Sequence, residues 1–132
     1  MITTESQSVA YLTIARNGTH ELVLDAPLAK GGGAQGFGPH ELLEAAIAAC
    51  LNMAVRMHAA AHNLPLTSVS TAVRLVRPDN STTRFEYSLD LIGDLTESQR
   101  AALLDAAATC PVRSTLSRTL QFQHVPAEAA LQ

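Results

Sequence analysis

At 132 residues the chain has the length of one domain, residues 1–132, with room for a sizeable core. Apolar residues make up 47% but aromatics only 4%, so that core is aliphatic and rich in alanine, and the net charge of −3 gives no electrostatic case for nucleic acid or an anionic membrane surface. The polar start MITTESQS lacks the basic and apolar regions of a signal peptide, and no apolar run approaches the roughly 18 residues needed to span a bilayer, so a soluble cytoplasmic protein is expected.

Residues 8–16 (SVAYLTIAR) and 20–25 (HELVLD) alternate roughly as strands. Asn17-Gly18 between them is a short-hairpin signal, because both turn positions favour positive φ. Residues 26–37 (APLAKGGGAQGF) read as a mobile, glycine-rich loop. Gly31 to Gly36 match G-x-G-x-x-G, but Ala26 to Lys30 separate the match from its strand and the preceding strands pair as a hairpin. A lid or crossover loop is therefore the better reading than a dinucleotide turn, with Phe37 as a pocket wall.

Residues 38–63 (GPHELLEAAIAACLNMAVRMHAAAHN) predict one long helix, with Pro39 at its first position and Glu41 and Glu44 near its positive end. Its middle is apolar all round, which predicts burial on every side. Residues 69–77 and 82–92 form a second hairpin around Pro78-Asp79-Asn80-Ser81. In the later strand Phe85, Tyr87, Leu89 and Leu91 share one face, and Arg84, Glu86, Ser88 and Asp90 the other.

Thr96 to Gln99 fit a capping box that opens a helix running to about Thr109, with Glu97, Arg100 and Asp105 on a solvated face. Pro111 breaks that helix and opens a short one, PVRSTLSR. Residues 120–125 (LQFQHV) alternate as a final strand, and residues 127–132 (AEAALQ) are left unassigned. The order β-β-α-β-β-α-α-β places most strands in hairpins, so the fold class is α+β with an antiparallel sheet. One sheet face does not enclose a helix that is apolar all round, and a homodimer is the expected outcome.

Two cysteines carry the candidate chemistry. Cys50 sits mid-helix, where cysteine is commonly a small buried hydrophobe and where burial opposes thiolate formation. Cys110, just before Pro111, takes an N-cap position, where free N–H groups and Arg113 in the same turn favour a thiolate; a merely packed corner stays open as the alternative. Together they support a redox couple, provided the sulfurs come within bonding reach. His58 and His62 stand one turn apart, but no glutamate follows His58, so the zinc pattern H-E-x-x-H is absent and surface or interface roles are expected. No metal and no cofactor are expected.

Gly38-Pro39-His40-Glu41-Leu42-Leu43 with Ala45 to Cys50 resembles the helix signature of the OsmC/Ohr family, osmotically inducible protein C and organic hydroperoxide resistance protein. Gly93 to Thr96 and Cys110 to Leu116 resemble that family's second cysteine region, and the resemblance covers nearly the whole chain. It implies an antiparallel sheet wrapped around a long central helix in an intertwined homodimer, with active sites at the dimer interface. It implies thiol-dependent reduction of organic hydroperoxides and hydrogen peroxide, with Cys50 peroxidatic, Cys110 resolving, and an external dithiol as reductant. Where family members carry a glutamate after the helix-opening proline, this chain has His40. The family's arginine falls near Val9, and Arg16, Arg56 and Arg113 are the candidates here. The alternative function is a noncatalytic protein of this fold that binds a small apolar ligand at the dimer interface.

Overall fold

The computed structural model describes residues 1–126, which form an α+β fold of two antiparallel sheets and three helices; residues 127–132 lie outside the described residues. Strands β1 (Thr3–Ser6), β2 (Thr13–Arg16) and β3 (Glu21–Leu24) make an antiparallel meander. A 3-10 turn at Leu28–Lys30 leads into helix α1 (Pro39–Ala61). The hairpin β4 (Leu66–Val76) and β5 (Arg84–Gly93) follows, then α2 (Glu97–Ala108) and α3 (Pro111–Leu116).

The first strand differs from the expectation. Residues 8–16 do not run as one strand, because Ala10 takes a left-handed φ of 31° and the Gln7 N–H closes onto the Leu12 carbonyl at 2.9 Å. That turn folds the polar Thr3–Ser6 back onto β2, where Arg16 bridges Glu5 at 2.8 Å and Glu21 at 2.6 Å. Asn17-Gly18 is not a two-residue turn either. Only Gly18 has positive φ, 92°, and Asn17 Oδ1 accepts from the Thr19 and His20 N–H groups, closing a four-residue loop between the paired Arg16 and Glu21.

The glycine-rich segment is built around Asp25 rather than left loose. Its carboxylate, 4% exposed, accepts from the backbone N–H groups of Ala26, Gly33 and Gln35 at 2.8, 3.0 and 3.1 Å. A Cβ on Gly36 would run into the Val23 carbonyl, so the close approach of these strands requires glycine there. Phe37 is an exposed residue bridging to Leu24, and it lines none of the cavities described below.

Helix α1 begins where Gly38 caps it and the Glu41 carboxylate accepts from the Gly38 N–H at 2.7 Å. Ile47, Leu51, Val55 and Ala59, four residues apart, make one buried stripe, which packs with Leu91, Leu103 and Ala107. Burial on every side is not seen within this chain: Leu43, Met53 and Met57 are 41%, 52% and 68% exposed. Nor is the expectation about apolar runs right, since α1, at 23 residues with a mean hydropathy of 1.2 over its most apolar window, is long and apolar enough to cross a membrane. As folded, it packs instead against β4, β5, α2 and α3.

Thr96 caps α2 as predicted: its hydroxyl accepts from the Gln99 N–H at 3.2 Å, and the Gln99 side chain accepts from the Thr96 N–H at 2.9 Å. Thr96→Ala leaves the first turn uncapped, and we expect a loss of about 1 kcal/mol, read as a lower urea midpoint at unchanged slope. Arg100, expected on a solvated face, is half-buried and donates to the Leu91 carbonyl at 2.8 Å, tying α2 to the end of β5.

The final strand is also corrected. Residues 119–126 carry no strand, and Phe122 is 94% exposed. The alternation of LQFQHV marks two faces, but a strand also needs a neighbour, and among the described residues this chain offers none alongside.

Candidate active site

Cys50 lies in the twelfth position of α1, and Cys110 is the N-cap of α3. Packing of α1 against α2 and α3 brings the two cysteines together as a disulfide, with Cα atoms 5.8 Å apart across 60 residues of sequence. Cys110 Sγ also accepts from the Arg113 N–H at 3.5 Å, the capping role expected from Pro111. Burial divides the pair unexpectedly. Cys110 is fully enclosed in the core, whereas Cys50, on the supposedly buried rod, is only half-buried.

A cleft of about 590 Å³ opens between the first turns of α1, the β4–β5 hairpin and α3, and neither cysteine is among its lining residues. Ile47 and Leu43 line it one and two turns before Cys50 on the same side of α1, and Arg113 and Leu116 come from the helix that Cys110 caps. Leu75 and Phe85 close the floor from the hairpin. The volume lies in the range of small-molecule sites.

The arginines left open by the sequence separate on inspection. Arg16 is held by Glu21 and Glu5, whose hydrogen bonds and charge push its pKa above the ordinary arginine value. Arg56 is exposed beside Met53 and Met57 on a different cavity. Arg113 lines the cleft and donates to the Ala108 carbonyl at 2.7 Å, a neutral partner. One further residue, Arg77, escaped the sequence reading. His40, at the helix opening, accepts from the Arg77 guanidinium at 3.0 Å, and both line the same cleft. Nothing local signals that pairing, since 37 residues separate the partners.

His58 and His62 stack with ring centroids 4.1 Å apart, and His62 Nδ1 lies 2.9 Å from the His58 carbonyl. Among the described residues no group of three potential metal ligands forms. The G-x-G-x-x-G match falls in the loop ordered by Asp25 and is followed by α1 with Gly38 as its cap.

Comparison with known proteins gives a consistent assignment. An OsmC-like protein from Mycoplasma pneumoniae superimposes with a TM-score of 0.74 at 22% identity, over 88% of this chain and 85% of that one. The organic hydroperoxide resistance protein OsmC of Legionella pneumophila gives 0.64 at 22% identity over 89% and 88%. The organic hydroperoxide resistance protein OhrB of Bacillus subtilis gives 0.59 at 21% identity over 89% and 90%. At these identities the likeness is one of fold. No curated protein matches the sequence significantly. The family model described as OsmC-like protein matches residues 31–125, which contain both cysteines and the whole of α1, and the chain belongs to that family.

Proposed function

We propose that the protein is a thiol-dependent peroxidase that reduces organic hydroperoxides, and hydrogen peroxide, through Cys50 and Cys110. The observation that carries this reading is the bonding of these two sulfurs, one on α1 and the other capping α3. In the reduced protein the Cys50 thiolate attacks one peroxide oxygen. The O–O bond breaks, the leaving alkoxide takes a proton and departs as alcohol, and Cys50 becomes a sulfenic acid. Cys110 then attacks that sulfur, water leaves, and the disulfide forms. An external dithiol restores both thiols.

The order of roles is supported by burial, because Cys50 is half-buried and Cys110 fully enclosed. Arg113 adds a positive charge to the cleft within one turn of Cys110, and a nearby cation favours the thiolate over the thiol. The assembly we propose is a homodimer. Exposed Leu43, Met53 and Met57 on α1, Tyr11 in the turn before β2, and Leu22 and Val23 on β3 form apolar surface that a second copy would cover.

The test is stoichiometric. Reduced protein, freed of reductant, is mixed with one equivalent of cumene hydroperoxide. We expect the peroxide to disappear, one equivalent of the alcohol to form, and the intact mass to fall by two hydrogens. Persistence of peroxide and free thiols would reject the enzyme and leave the ligand-binding alternative, for which the apolar cleft is the supporting feature.

A further inference from the structure

The C-terminal end of α1 carries two imidazoles that the peroxidase cycle does not use. Of the five histidines, His58 sits in the last turn of α1 and His62 is its C-cap, so the two share one face a turn apart. Their rings stack, with centroids 4.1 Å apart and planes 21° from parallel.

The backbone beneath them is fixed. Asn63 follows the cap with a left-handed φ of 51°, and its N–H donates to the Ala60 carbonyl at 3.3 Å. The Leu64 N–H reaches back to the Ala59 carbonyl at 2.9 Å. These two bonds close a Schellman motif, and Leu64 anchors it by packing against the core. The last turn therefore presents both side chains from a set position.

The tautomer of His62 is set as well. Its Nδ1 lies 2.9 Å from the His58 carbonyl. A carbonyl only accepts, so Nδ1 carries the proton, and in the neutral ring Nε2 keeps a free lone pair. A metal-binding histidine is commonly held in this way, one ring nitrogen donating to a backbone carbonyl while the other ligates. The His58 ring can match it. A half-turn about its Cβ–Cγ bond keeps the stack and brings a nitrogen to either edge.

The surroundings suit a cation of one kind. Carbonyls at the C-terminal end of a helix favour positive charge. Arg56, two residues before His58, faces another side of the helix. Among the described residues no third His, Cys, Asp or Glu joins the pair. The donor set is thus two neutral imidazoles, with water to fill the remaining positions. Calcium and magnesium want oxygen ligands, whereas imidazole suits the late first-row transition metals.

We propose that His58 and His62 form a two-histidine site for a divalent late transition-metal ion, taking Cu(II) ahead of Ni(II) and Zn(II). Binding opens the ring planes until both lone pairs meet one ion at about 2.0–2.1 Å. The ion then bridges the last turn of α1. The site stands apart from the peroxidase reading, because the cleft lies at the other end of the helix, with His40 and Leu43.

The full-length chain, without a histidine tag and with its disulfide intact so that neither thiol ligates, is titrated with nickel chloride in a calorimeter. We expect one saturable ion per chain. His58→Gln and His62→Gln should each bind at least tenfold more weakly, since even loss of an outer-shell partner weakens metal sites by that much. His20→Gln, remote from the pair, keeps the wild-type affinity, and circular dichroism checks that each variant retains its helices. Electron paramagnetic resonance with Cu(II) should show nitrogen splitting from two imidazoles in the wild type and from one in each variant of the pair. No saturable binding, or wild-type affinity in both variants, would overturn the proposal. Weakening in only one of them would assign the ion to a single imidazole and overturn the paired site.

Discussion

Cys50→Ser is expected to abolish hydroperoxide reduction, lowering the rate by roughly a thousandfold or more, because a serine hydroxyl with no base beside it offers almost no anion at neutral pH. Cys50 is half-buried and outside the fully enclosed part of the core, so the substitution spares the fold. Cys110→Ser behaves differently. It leaves the attacking sulfur intact, so one equivalent of peroxide is still consumed per chain, and the reaction stops at a Cys50 sulfenic acid. A dimedone adduct in the mass spectrum at Cys50, absent from the wild type after the same treatment, would record that arrest. Steady turnover with an external dithiol falls only as far as the dithiol is slower than Cys110 at meeting the sulfenic acid. If both variants consumed peroxide at the wild-type rate, neither cysteine would be the nucleophile. If Cys110→Ser were the inert one, the roles drawn from burial would be reversed.

The sequence carried the elements that depend on local chemistry. Thr96 and Gln99 satisfy each other's backbone across one turn, so their spacing alone announces the start of α2. Pro111 fixes the start of α3 for the same reason, and with it the capping place of Cys110. The alternation of Phe85, Leu89 and Leu91 likewise marks the half-buried face of β5. What escaped depends on partners far along the chain. Strand β1 is too polar to alternate and is held by β2 and by Arg16 on Glu5. Asp25 collects N–H groups from Ala26, Gly33 and Gln35, a set with no period. Arg100 has the composition of a solvated face, yet a long arginine stem can reach inward, here to the Leu91 carbonyl. At the site, both cysteines were legible as residues and in their local settings. Their contact was not, since it is made by α1 packing on α3. The His40–Arg77 pair was lost for the same reason, being set by where β4 ends against the first turn of α1.

That same contact makes oxidation a folding event as well as a chemical one. The bond closes a loop spanning 60 residues, which in the chain-entropy account removes about 4 kcal/mol of freedom from the unfolded state. For a chain of this length we expect the oxidised protein to melt roughly 10–20 °C above the reduced one at equal protein concentration. Calorimetry with and without a dithiol reads the difference, and Cys50→Ser, which has no bond to lose, should melt alike in both conditions. Equal melting of oxidised and reduced wild type would mean that the core around Cys110, with Leu51, Leu103 and Ala107, already fixes α3 without help. The expected difference has a consequence for the cycle. Helix α3 is only six residues long and buries no residue fully; Val112 and Leu116 pack against the core, and the bond from its cap, Cys110, ties it covalently to α1. Reduction releases the bond and leaves α3 the most weakly anchored wall of the cleft. On the peroxidase reading we propose, the thiol form that admits the peroxide is then expected to be the looser one, and the disulfide form at the end of turnover the tighter.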